Sequence, residues 1–131
     1  MATITEDYCS YEVAKLLKGK GFDWECISYY VDDEPDDIKY SFCGETNSIL
    51  KSRYCSAPTI QMAMKWLREV HNMYYEIQLL LGEKVEKYGV LQLGIYQLNS
   101  SEAYVWKDWI YADTYVELYE NYIKYCLKHL I

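Results

Sequence analysis

The sequence predicts an α+β fold: an antiparallel sheet, including a three-stranded C-terminal meander, covered by helices. Its 131 residues are 51% hydrophobic and 25% charged, values that suit one globular domain able to close a core without disulfides or metal. Three segments repeat apolar residues at helical spacing and carry cap signals at their ends. Met73 to Tyr111 reads as three successive strands, whose connections are too short for crossovers, so neighbouring strands pair antiparallel. The expected order is α-β-β-α-β-β-β-α in a single domain spanning residues 1–131.

The first helix begins at Ser10, a residue whose hydroxyl suits the N-cap. Val13, Leu16 and Leu17 share a face, Lys15, Lys18 and Lys20 favour the negative end of the helix dipole, and Gly19 and Gly21 supply the stop. Trp24–Tyr30 and Ile38–Cys43 read as the strands of a hairpin. Between them, Asp32 to Asp37 holds four Asp, one Glu and a Pro, a solvated turn without the ligand spacing of a calcium loop. Gly44 to Tyr54 reads as an irregular loop with a short strand around Ile49–Leu50.

The clearest helix runs from Pro58 to Val70, with Ser56 as a cap just outside it. Ile60, Ala63, Leu67 and Val70 form its apolar seam, Met64 lies beside the seam and Trp66 at its flank. Asn72, tolerant of left-handed backbone, ends it. In the strand Met73–Leu81, Tyr75, Ile77, Leu79 and Leu81 point one way and Glu76 and Gln78 the other. A turn at Gly82-Glu83-Lys84 leads to the strand Tyr88–Leu98, and one at Asn99-Ser100-Ser101 leads to Tyr104–Tyr111. Thr114 and Glu117 match a capping box for a last helix reaching towards Leu130, whose apolar face is Tyr119, Tyr122, Ile123, Cys126, Leu127 and Leu130. The last five elements share the order of double-stranded-RNA-binding domains, an analogy of fold alone.

Charge opposes that function. Twenty acidic residues face thirteen basic ones, net −7, and Arg53 and Arg68 are the only arginines. Affinity for a phosphate polymer comes mainly from Lys and Arg, so duplex nucleic acid is not an expected partner. No apolar run approaches the ~18 residues of a membrane span. Met1 to Glu6 lacks a charged segment followed by an apolar one, so secretion by a signal peptide is not expected. The five cysteines, with no C-x-x-C pair, then read as reduced thiols filling a core in a cytoplasmic protein.

Chemistry-bearing motifs are scarce. The two histidines, His71 and His129, stand in no nucleophile or zinc pattern. Gly19-Lys20-Gly21 follows a helix and reads as its C-cap, not as a phosphate cradle. No catalytic residue, metal site or cofactor is therefore expected, and the chain does not read as an enzyme. The aromatic content is the unusual feature: 16 Tyr and 4 Trp against 2 Phe. It peaks in Tyr104-Val-Trp106-Lys107-Asp-Trp109-Ile-Tyr111. Plain strand alternation sets Tyr104 and Trp106 on one face, and Lys107, Trp109 and Tyr111 on the other. One reading is core packing on both sides. The other is an interface or ligand surface anchored by Tyr104, Trp106 and Trp109, with Lys107 and Arg53 or Arg68 supplying charge for a small anion.

The run Ser56-Ala-Pro-Thr-Ile-Gln-Met-Ala-Met-Lys-Trp-Leu-Arg-Glu-Val-His-Asn72 resembles a signature of small proteins from phages and mobile elements of gut Bacteroides-type bacteria. The stretch from Glu6 to Lys18 with Gly21-Phe22, and the ending Tyr125 to Ile131, are similar to the same family. The resemblance carries no activity over. It implies a product in the host bacterial cytoplasm that acts by binding. The expected function is sequestration of a small nucleotide-like signal of antiviral defence by a homo-oligomer. The alternative is an interaction module that covers a host protein.

Overall fold

Ser10 accepts a hydrogen bond from the Val13 amide and so caps helix α1, Tyr11–Gly19. The computed structural model describes residues 7–50, 52–80 and 90–131. Strands β1 (Cys26–Val31), β2 (Glu34–Glu45) and β3 (Tyr54–Ser56) follow, then helix α2 (Ile60–His71), strands β4 (Met73–Leu80), β5 (Val90–Leu98) and β6 (Tyr104–Ala112), and helix α3 (Tyr115–Tyr125) with a π-helical turn over Cys126–Leu130. The protein is thus mixed α+β, with two three-stranded antiparallel sheets, ordered β2-β1-β3 and β4-β5-β6. The residues gather into two compact units, Met1–Ala63 and Met64–Ile131, and the division falls within α2.

The expected single sheet and its order are corrected here. A strand absent from the expected order, β3, stands before α2 and pairs with β1 through Tyr29–Ser56, Tyr30–Cys55 and Val31–Tyr54. No strand forms at Ile49–Leu50, where the amides of both residues turn back to the Thr46 carbonyl. The acidic stretch is mostly strand: Val31 already pairs with Glu34, which leaves Asp32-Asp33 as the turn. β2 is an edge strand, where Pro35 costs no ladder bond that matters and exposed carboxylates discourage further pairing.

In the first unit α1 packs over the sheet face that carries Tyr30 and Cys55, with Ala14 and Ala57 between them. Tyr30 donates its hydroxyl to the Cys9 carbonyl at 2.7 Å. Gly21, at φ 90°, takes the left-handed backbone that ends α1. Two assignments around α2 change. Thr59, not Ser56, is the cap, since its Oγ1 accepts from the Met62 amide at 3.2 Å, while Ser56 is buried in β3. Val70 is exposed, and Trp66 is buried instead, edge-on to His71 at 4.7 Å. Asn72 does adopt positive φ, 58°.

In the second unit α3 covers one sheet face. Leu91, Leu93 and Ile95 of β5 are buried on that side, as are Leu118, Tyr122, Ile123, Cys126 and Leu127 of the terminal helix. Tyr75 stands against Tyr119 and Tyr122, with ring centroids 5.9 and 5.4 Å away. Leu81 and the turn expected at Gly82-Glu83-Lys84 lie outside the described residues.

Candidate functional site

The residues singled out in β6 meet in a way that simple alternation misses. β5 and β6 pair from Leu91–Ala112 to Leu98–Tyr104, but the register slips once: Ile95 faces Asp108 while Tyr96 faces Trp106. Lys107 is the extra residue of a β-bulge. The slip reverses parity along β6. Tyr104 and Trp106 therefore share a face with Trp109 and Tyr111, because their partners Leu98, Tyr96, Gly94 and Gln92 all share one. The expected split of the two tryptophans onto opposite faces is corrected: their ring centroids lie 6.1 Å apart.

This is the face that α3 does not cover. Tyr104, Trp106, Trp109 and Tyr111 keep 61, 49, 36 and 53% of their surface exposed. Tyr74 of β4 joins them, perpendicular to Tyr104 at 5.3 Å. Gln92 donates to the Tyr111 hydroxyl at 3.3 Å. Gly94 makes room for an indole: a Cβ there would stand 2.7 Å from Cζ3 of Trp109. Tyr74, Tyr96 and Gly94 belong to this surface and were not among the sequence-derived candidates. The available signal was Gly94, a glycine inside an alternating strand, which often marks the close approach of a neighbour.

Lys107 is half-buried at the bulge. Arg68 lies on α2, in the second unit, where its charge bears on the Tyr122 hydroxyl. Arg53 belongs to the first unit, where it pairs with Asp33 at 2.5 Å and lies 5.9 Å from the centre of the Tyr54 ring. Asp108, beside the bulge, accepts from the Trp109 amide at 2.7 Å. That bond, and one from the Tyr125 hydroxyl, hold its carboxyl below the usual range.

The buried thiols Cys26, Cys55 and Cys126 are held in the protonated form, which suits them poorly to nucleophilic work. None of the cysteines Cys9, Cys26, Cys43, Cys55 and Cys126 is in a disulfide; all are buried except Cys43, which is exposed. Burial pushes Cys126 up to about 12, and burial with the Glu25 charge pushes Cys26 up to about 11. Burial lowers His71 from its ordinary value. Among the described residues, no three His, Cys, Asp or Glu side chains gather where a metal ion could sit, and no helix is long and apolar enough to cross a membrane.

The first unit carries a cavity of about 330 Å³ on the sheet face away from α1. Tyr29, Tyr54, Ile49 and Leu50 wall it, and Glu45 and Ser41 stand at its polar side. The segment above the cavity is tied down by Asn47, which is buried; its Nδ2 donates to the Phe22 carbonyl at 2.7 Å and its Oδ1 accepts from the Ser56 amide at 2.9 Å. Compared with protein-family models, curated proteins and solved structures, the chain matches none.

Proposed function

We propose that the protein works by binding rather than by catalysis, and that the open aromatic face of β4, β5 and β6 is its binding surface. The observation that carries this reading is the Trp106–Trp109 pair, 6.1 Å apart on the side of the sheet opposite α3, with both rings exposed. Exposed rings on a sheet stack planar ligands, at about 1–3 kcal/mol per nucleobase. The ligand class is a small nucleotide-like molecule, its base on the indoles and its phosphate within reach of Lys107. A net charge of −7 disfavours long polyanions far more than one small ligand. In the setting that the family resemblance implies, a phage or mobile-element product in bacterial cytoplasm, such a protein would sequester a defence signal and return it unchanged.

A second reading is a docking surface for a host protein or for another copy of the chain. Four exposed Tyr and Trp rings along one strand favour it, since these residue types dominate interface energetics.

Titration of tryptophan fluorescence with cyclic dinucleotides and ADP-ribose derivatives tests the leading reading. Saturable quenching by one of them, lost in Trp106→Ala and Trp109→Ala, with the ligand recovered intact by chromatography, is the expected result. No quenching across the panel removes the nucleotide reading, and an altered ligand removes the non-enzymatic one.

A further inference from the structure

The cavity of the first unit is built on a second irregularity, independent of the aromatic face. Between Cys26–Glu45 and Ser28–Tyr40, β2 spends four residues, Ser41 to Gly44, opposite the single residue Ile27 of β1. The excess residues bulge out between two points at which β2 pairs with β1, and Ser41 ties the bulge by donating to the Cys43 carbonyl at 2.5 Å. Glu45 re-enters the ladder at the rim. The chain then turns through Thr46, where Ile49 and Leu50 bend back to the Thr46 carbonyl at 3.1 Å each. Asn47 pins that turn to Phe22 and Ser56, so the space beneath it is held open by buried hydrogen bonds.

The walls specify a ligand. About 330 Å³ is at the small end of the range for small-molecule sites. Tyr29 and Tyr54 meet at 65° with centroids 5.8 Å apart, forming an aromatic corner, and Ile49 and Leu50 give it an apolar roof. Among the described residues no Lys or Arg lines the space, and the one carboxylate among them, Glu45, makes no ion pair. Anions are therefore disfavoured. A cation gains from the carboxylate and from the electron-rich ring faces. The Tyr54 ring already attracts one cation, the Arg53 guanidinium.

We infer that this cavity binds a small organic amine, with the ammonium at Glu45 and an apolar or aromatic body in the Tyr29–Tyr54 corner under Ile49 and Leu50. Nothing in this site depends on the aromatic face of β4–β6.

The test is amide-resolved NMR of the full chain titrated with phenethylamine, 2-phenylethanol and 3-phenylpropionate, which share a body and differ in charge. Phenethylamine should shift the Glu45, Ile49 and Leu50 amides, the alcohol should bind about tenfold more weakly, and the carboxylate should leave them unmoved. Glu45→Gln should reduce the amine to the level of the alcohol, and Ile49→Ala, at an exposed position, should weaken amine and alcohol alike. Equal response to amine and carboxylate, an unchanged affinity in Glu45→Gln, or shifts confined to β5 and β6 would overturn the assignment. So would the absence of any shift.

Discussion

Trp109 lies across Gly94, its partner in the β5–β6 ladder, so closely that the indole occupies the space of a side chain at position 94. A Cβ there would meet Cζ3 at 2.7 Å and Cε3 and Cη2 at 3.2 Å. Gly94→Ala should therefore force the indole outward. Overpacking of this kind costs about 1–3 kcal/mol, and the low end is expected because the colliding atoms are the far edge of one side chain. Chemical denaturation followed by fluorescence reads both the loss and a red shift of emission. In a Trp109→Ala background the same glycine substitution should cost nothing, which isolates the pair.

The bulge makes a less intuitive prediction. Deleting Lys107 removes the extra residue and leaves every cross-strand pair from Leu98–Tyr104 to Leu91–Ala112 in place. The aromatic face survives, now on a regular strand. The deletion should therefore change stability by no more than about 1 kcal/mol, within the range of a tolerated surface change. Deleting Ile110 instead would send the residues on one side of it to the wrong face. That variant should be markedly destabilised or fail to fold. Comparing the two by urea denaturation decides whether Lys107 is the spare residue.

The bulge also marks where the sequence stops being legible. Helices α1, α2 and α3 are readable because Ser10, Thr114 and Asn72 signal their ends and apolar residues recur at helical spacing. The alternation of Tyr75, Ile77, Leu91, Leu93 and Ile95 likewise gives strands with one buried side. A period-two count fails at Lys107 because nothing in Trp-Lys-Asp-Trp distinguishes a bulge from plain alternation. Only the pairing with β5 does. β3 escapes for a related reason: three residues are too short for any period, and Tyr54–Ser56 is strand only because β1 offers it a ladder. The acidic stretch reads as a turn although most of it is strand, because an edge strand in water needs no apolar residues. The rings of the candidate site were thus visible in the sequence, and their common face was not.

Asp108 and Tyr125 predict a specific pH dependence. The Trp109 amide and the Tyr125 hydroxyl lower the folded pKa of Asp108, so its contribution is fully present above the ordinary aspartate value of about 3.9 and is lost as pH falls through the lowered one. The same bond raises Tyr125, whose contribution is present below the ordinary value of about 10 and fades as pH rises through the raised one. The stability difference between the native protein and Asp108→Asn should hold level between roughly pH 5 and pH 9 and shrink on both sides. Tyr125→Phe should abolish the alkaline decline and keep part of the acid one, since the Trp109 amide remains. Denaturation midpoints across that range check both limbs.

Asn47 is the residue on which the shape of the first unit's cavity should prove most dependent. Its amide bridges the Phe22 carbonyl and the Ser56 amide, and all three residues are buried. Asn47→Ala removes two buried hydrogen bonds, the donor to the Phe22 carbonyl and the acceptor for the Ser56 N–H, each worth about 1–3 kcal/mol, so a loss of about 2–4 kcal/mol is expected. Asn47→Asp separates the two bonds. The acceptor for Ser56 is kept, but an ionised carboxylate meets the Phe22 carbonyl oxygen with no proton to offer. Protonation restores a donor. Burial and the facing carbonyl both favour the protonated form in the fold, which raises the folded pKa of the new acid above its unfolded value. Such a group is best tolerated at low pH and costs more as pH rises through its folded pKa. The gap between Asn47→Asp and the native protein should therefore narrow on acidification, whereas the gap for Asn47→Ala should not. A gap that is equal at acid and neutral pH would mean that the Phe22 carbonyl is not what the side chain serves.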